Sequence, residues 1–165
     1  MRIRLMLVWS LSALIFSLTA CSLNAASTRR AAPIETPTLS GPPGTLAGDQ
    51  LMYPGDSMPT LAIYAISITD SQRYFHVVTT AGQFFYEISS VEPGTYYVIA
   101  YLAQPQSAAF KALAGGYTKF LACEGSPDCN DHTLIPVTIH PGETVSHIDP
   151  NDYYGGTFPP RPGSS

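Results

Sequence analysis

In the stretch Gly82–Ser89, Phe84, Tyr86 and Ile88 fall on one side of a two-residue repeat and Glu87 on the other. After Pro93-Gly94 the same period returns, with Tyr96, Val98 and Ala100 alternating against Tyr97, Ile99 and Tyr101. Side chains of a strand point alternately to its two faces, so this pattern predicts a hairpin. Phe84, Tyr86 and Ile88, with Tyr96, Val98 and Ala100, are then the core-facing sets. Short runs rich in Tyr, Ile, Val, Thr and Phe recur along the chain, separated by Pro54-Gly55, Ala81-Gly82, Pro93-Gly94, Gly115-Gly116 and Pro141-Gly142. The predicted strands are Thr45–Met52, Thr60–Thr69, Tyr74–Thr80, Gln83–Ser89, Thr95–Gln104, Tyr117–Ala122, Leu134–His140 and Thr144–Ile148. Only Ser107–Ala114 has the makings of a helical turn or two. Seven or eight short strands without a long amphipathic helix predict an all-β sandwich.

The ends of the chain follow other rules. Met1-Arg-Ile-Arg4 is positive, Leu5–Leu18 is apolar, and small residues follow, which are the three parts of a secretory signal peptide. The apolar run is shorter than the roughly 18–20 residues of a spanning helix. Leu18-Thr19-Ala20-Cys21 resembles the lipobox of bacterial lipoproteins. That resemblance implies cleavage before Cys21, a thiol carrying diacylglycerol and an acylated, for example palmitoylated, amino group. Acyl chains bind at about 0.8 kcal/mol per buried methylene, so two or three would hold the chain on a membrane. By the same resemblance, Ser22 after the cysteine points to the outer membrane if the host is Gram-negative. Residues 1–20 are thus expected to be the leader. Residues 21–43, rich in Ala, Ser, Thr and Pro, are expected to be a lipidated cysteine and disordered tether. Residues 44–157 form the expected sandwich domain, and 158–165, Phe-Pro-Pro-Arg-Pro-Gly-Ser-Ser, a disordered tail.

The stretch Gly-x-Phe-x-Tyr-x-Ile, followed by Val-x-Pro-Gly-x-Tyr-x-Val-x-Ala-Tyr, resembles the carboxypeptidase regulatory-like, or prealbumin-like, sandwich. The matching positions are Gly82, Phe84, Val91, Pro93, Gly94, Tyr96 and Val98, and Gly44–Gly48 and Pro59–Ala65 suit its first two strands. The resemblance implies a Greek-key β-sandwich and carries core and turn positions, not an active site. The zinc carboxypeptidase activity tied to that family name resides in a separate catalytic domain.

Composition narrows the partners. Residues 44–157 hold three Lys and Arg against eleven Asp and Glu, a net charge of −8 with histidines neutral. That balance argues against nucleic acid or anionic lipid as a direct ligand of the domain. Of the three cysteines, Cys21 is assigned to lipid, which leaves Cys123 and Cys129 as a pair. In an oxidising compartment they are expected to form a disulfide, with a metal pair as the rival reading.

Candidate chemistry is sparse. Gly55-Asp56-Ser57-Met58 approaches the Gly-Asp-Ser-Leu block of a serine esterase family, but the Asp-x-x-His that would supply a base is missing. His76, His132, His140 and His147 show no metal-ligand spacing; His140 and His147 could meet across Pro141-Gly142. Asp149, Asn151 and Asp152 cluster oxygens that could take calcium or serve a turn. Tyr64, Tyr97 and Tyr101 lie opposite the core-facing positions and could form a ligand face for a sugar or protein partner, unless another segment covers them. The expectation is a lipid-anchored envelope module without catalytic activity or cofactor, whose partner is an envelope protein or a glycan. A small-ligand or carbohydrate-binding module is the alternative, and a serine or metal-dependent hydrolase the remote one.

Overall fold

The computed structural model describes residues 39–104, 113–123, 129–153 and 158–163. The leader, Cys21 and nearly all of the tether lie outside them, as does most of the helical turn expected at Ser107–Ala114. The described residues form two β-sheets with one four-residue helix, an all-β architecture with eight strands among them.

Alternation explains the larger sheet. Strands β2 (Leu61–Ser67) and β5 (Gly94–Leu102) pair antiparallel at its centre, from Leu61 opposite Leu102 to Ser67 opposite Tyr96. Every residue of β2 is buried, because its two faces pack against different clusters. Leu61, Ile63 and Ala65 join Tyr96, Val98 and Ala100 in the main core, while Ala62, Tyr64 and Ile66 join Ile99 and Tyr101 in a second one. The split of β5 into two faces is the one its sequence predicts. β3 (Tyr74–Val78) flanks β2 as an edge strand, and β6 (Ala114–Gly116) and β7 (Val137–Ile139) both pair with β5.

The smaller sheet has the order β4-β1-β8, with β1 at Gly44–Gly48, β4 at Tyr86–Val91 and β8 at Thr144–Val145. β1 runs antiparallel to β4 and parallel to β8. Leu46, Tyr86, Ile88 and Val91 project from it into the main core. A bulge interrupts the β1–β4 register near Ser90, whose φ of 59° is left-handed. Two hydroxyls lock the core to the backbone. Tyr86 donates to the Ile148 carbonyl at 2.6 Å and Tyr96 to the Glu92 carbonyl at 2.6 Å, the latter closing the Pro93-Gly94 corner.

Three expectations need correction. Phe84 is 57% exposed rather than core-facing. The Phe84 carbonyl accepts from Leu51 N, and Gln83 Nε2 donates to the Phe85 carbonyl, so strand pairing starts only at Tyr86 opposite Gly48. Tyr117–Ala122 is not a strand: Lys119–Ala122 is a helical turn, α1. Gly115-Gly116 is not a turn but the end of β6. A Cβ on Gly115 would strike the Pro150 carbonyl and, at 2.6 Å, the Tyr153 ring. A Cβ on Gly116 would lie 2.6 Å from the Phe158 ring. Both glycines leave room for aromatic rings, a close approach that no other residue permits.

Candidate functional site

Two of the three tyrosines of the expected face are covered. Tyr64 and Tyr101 are 4% and 3% exposed, and Tyr97 is half-buried. The rings of Tyr64 and Tyr101 meet edge to face at 5.7 Å, and His76 stacks on Tyr64 at 4.9 Å. Apolar side chains on an outer sheet face need a cover, and here the C-terminal segment supplies part of it. Phe158 packs against the cluster of Tyr64, Ile99, Tyr101 and Ala114. The Tyr101 hydroxyl donates to the Pro159 carbonyl at 2.7 Å, and Arg161 Nε donates to the Tyr64 hydroxyl at 3.1 Å. Residues 158–163, expected to be disordered, therefore run as a strap across the sheet. Their physical reason is the apolar stripe beneath them, whose burial also pushes the Tyr101 phenol well above its usual range.

The oxygen cluster serves the backbone. Asp149 Oδ1 accepts from Gln50 N at 3.0 Å. Asn151 accepts from Met52 N and donates to the Gln50 carbonyl, each at 2.8 Å, so its amide pairs with the 50–52 segment as a neighbouring strand would. Asp152 is 1% exposed and faces elsewhere. Its Oδ2 accepts from Thr118 Oγ1 at 2.7 Å and lies 2.7 Å from His132 Nδ1, so the tautomer protonated there donates to the carboxylate. Asp149 and Asn151 thus bond the 50–52 backbone while Asp152 bonds Thr118 and His132, contacts that fit the turn reading of this cluster. Among the described residues no group of three or more His, Cys, Asp or Glu is placed to hold a metal ion.

The Asp152–His132 pair was not legible in the sequence, because its members are twenty residues apart and neither sits in a spacing pattern. His132 stacks on Phe120 of α1 at 4.7 Å. Cys123, which follows α1, is joined to Cys129 in a disulfide with Cα atoms 5.9 Å apart. Two hydrogen bonds from Thr133 and the Lys119 ammonium, 3.0 Å away, lower the Asp131 carboxyl to about 2. Disulfide, stacking and charge thus converge on residues 118–123 and 129–133. Ser57 is exposed in its loop. The His–acid pairs described, His132 with Asp152 and His147 with Asp49, make no bond to it.

Two openings lie among the described residues. A groove of about 480 Å³ lies between α1 and the 50–52 and 147–151 segments, with Met52, Tyr117, Leu121, His147 and Asn151 among its walls. A recess of about 210 Å³ shares Met52 and Asn151 and adds Tyr53 and Tyr153. Tyr53, Tyr117 and Tyr153 line these openings, whereas Tyr64 and Tyr101 are buried. Two of the lining tyrosines carry a local signal: Tyr53 stands in a loop beside Pro54, and Tyr117 follows Gly116 at the end of β6.

A further exposed feature is the β3 edge. Tyr74 and Val78 are 36% and 50% exposed, and Phe84 and Phe85 57% and 64%. β3 pairs only with β2 among the described strands, and its five residues, Tyr-Phe-His-Val-Val, include no Lys, Arg, Asp, Glu or Pro. In the smaller sheet the edge strand β4 carries the Ser90 bulge. Edge strands are usually blunted by charge, proline or a bulge, and β3 has none of these. No protein-family model, curated protein or solved structure matches the chain.

Proposed function

We propose that this chain is a lipid-anchored interaction module of the cell envelope, without catalytic activity, that captures an extended segment of an envelope protein along β3. The unblunted β3 edge carries this reading. An unpaired strand edge offers backbone donors and acceptors in register, and alternate side chains read the incoming strand. Tyr74 and Val78 on the strand, with Phe84 and Phe85 nearby, favour a segment that is uncharged and apolar at alternate positions. The lipobox at Leu18–Cys21 supplies the anchor, which confines the domain to the surface where such partners sit. The prealbumin-like Greek key is supported by the strand order: the chain changes sheets between β1 and β2, β3 and β4, and β4 and β5.

The test is site-specific crosslinking in envelope membranes of the host. A photoreactive phenylalanine at position 85 is expected to trap one defined envelope protein, and Val78→Lys on the same chain to abolish the adduct. Cys21→Ser is expected to release the chain from the membrane fraction without unfolding it. An adduct indifferent to Val78→Lys would refute edge capture; unchanged fractionation of the Cys21→Ser chain would refute the anchor.

A second reading, binding of a small ligand or glycan, is favoured by the groove. Its volume suits a small ligand, and Tyr117 supplies an aromatic wall beside Asn151 and His147. Loss of glycan-array binding on Tyr117→Ala would support it.

A further inference from the structure

The strap over the outer sheet face binds as a ligand binds. It does not extend either sheet. Phe158 fills the space above Gly116, the Pro159 carbonyl takes the Tyr101 hydroxyl, and Arg161 spans the far side. The Arg161 guanidinium lies 5.6 Å from the Tyr64 ring centroid and donates to the Ala103 carbonyl at 3.1 Å. Gly163 comes close to the Tyr74 hydroxyl, so the segment crosses from β6 over β5 and β2 to β3. Aromatic rings and a phenol hydroxyl that meet a Pro-Pro backbone are the elements of polyproline recognition, in which proline has already surrendered its conformational freedom. Nothing in these contacts requires that seat and strap belong to one chain.

We propose that the seat formed by Tyr64, Tyr101, Ala103 and Gly116 is a binding site for the Phe-Pro-Pro-Arg segment of a second copy of this chain. The occupant is argued from the structure itself, since the segment that fits the seat is the chain's own residues 158–163. Exchange of an identical element between copies keeps every contact and needs no new surface. Four residues separate Tyr153 from Phe158 in the sequence, and a flexible linker of that length sets an effective concentration of about millimolar in cis, so each copy straps itself in dilute solution. Crowding of copies at that concentration turns the same contacts into a link between them.

Two full-length variants separate seat from strap. A donor chain carries Tyr64→Leu with Tyr101→Phe and keeps its strap. An acceptor chain carries Phe158→Ala with Arg161→Ala and keeps its seat. Native mass spectrometry is expected to show each alone as a monomer and the mixture as a 1:1 complex. A free Phe-Pro-Pro-Arg-Pro-Gly-Ser-Ser peptide is expected to dissolve that complex, and Tyr101→Phe placed in the acceptor to weaken it about five- to tenfold through the lost hydrogen bond. If Tyr64→Leu does not fold, Tyr101→Phe alone serves as the donor and the expected order is unchanged. Absence of a complex up to millimolar concentrations with both chains folded would overturn the proposal. So would a complex indifferent to the peptide and to Tyr101→Phe, or one dissolved equally well by an octaproline peptide.

Discussion

Replacing Tyr86 with Phe removes one atom that joins β4 to the segment following β8. The hydroxyl donates 2.6 Å to the Ile148 carbonyl, across 62 residues of chain, from a side chain 2% exposed. The ring remains, so no cavity opens, and the cost is that of a buried carbonyl left without its donor, about 1–3 kcal/mol. At about 4 °C per kcal/mol, the melting temperature should fall by about 4–12 °C at pH 7. Alkaline pH adds a test that ordinary packing loss would fail. Burial first, then the Asp149 carboxylate and the Tyr117 ring, push the Tyr86 phenol well above its usual value of 10.0. The folded state therefore keeps a proton that the unfolded chain gives up above pH 10. A raised folded pKa means stability is complete below pH 10 and is lost as pH climbs beyond it, here by about 1.4 kcal/mol at pH 11. The Tyr86→Phe chain has no such proton to lose, so the gap between the two should narrow by that amount between pH 7 and pH 11. Urea unfolding followed by far-ultraviolet circular dichroism at both values measures it. An unchanged gap, or equal stability at pH 7, would refute the reasoning.

Other outcomes follow from the same structure. Replacing Cys123 and Cys129 together with Ser should cost about 2 kcal/mol through the short loop they close, while amide exchange in β2 and β5 stays slow, since the bridge lies outside both sheets. Protection lost throughout β2 would contradict this. Gly115→Ala should lower stability by about 1–3 kcal/mol in thermal melts, because its methyl meets the Pro150 carbonyl, a backbone atom that cannot turn aside. A neutral effect would show that β6 does not hold the Tyr153 ring as described.

Some of this protein was written locally and some was not. The opposite faces of β5 were legible because a strand repeats every two residues, and Tyr96, Val98 and Ala100 need no distant partner to declare their side. Pro141-Gly142 was legible as a turn for the same reason: the left-handed φ of 72° at Gly142 is a local demand. The bridge between Cys123 and Cys129 could be read from six residues of separation and a third cysteine assigned elsewhere. The errors fall where a contact partner is far away in the chain. Gly115-Gly116 has the composition of a turn, and only Tyr153 and Phe158 show why a strand there must lack side chains. Phe84 continues the alternation of Tyr86 and Ile88, but it precedes the first paired residue of β4 and stays exposed. Asp152 belongs to a turn by sequence and to His132 and Thr118 by structure.

By itself, the sequence determined what short-range stereochemistry determines: an all-β chain, its turns, and the face of each central strand that enters the core. Tertiary structure alone decided which outward faces stay open. Tyr64 and Tyr101 were recognisable as outward-facing, but whether they meet solvent depends on Arg161, 97 residues from Tyr64, and on the Pro159 carbonyl. Periodicity specifies direction, whereas cover depends on where the rest of the chain comes to lie.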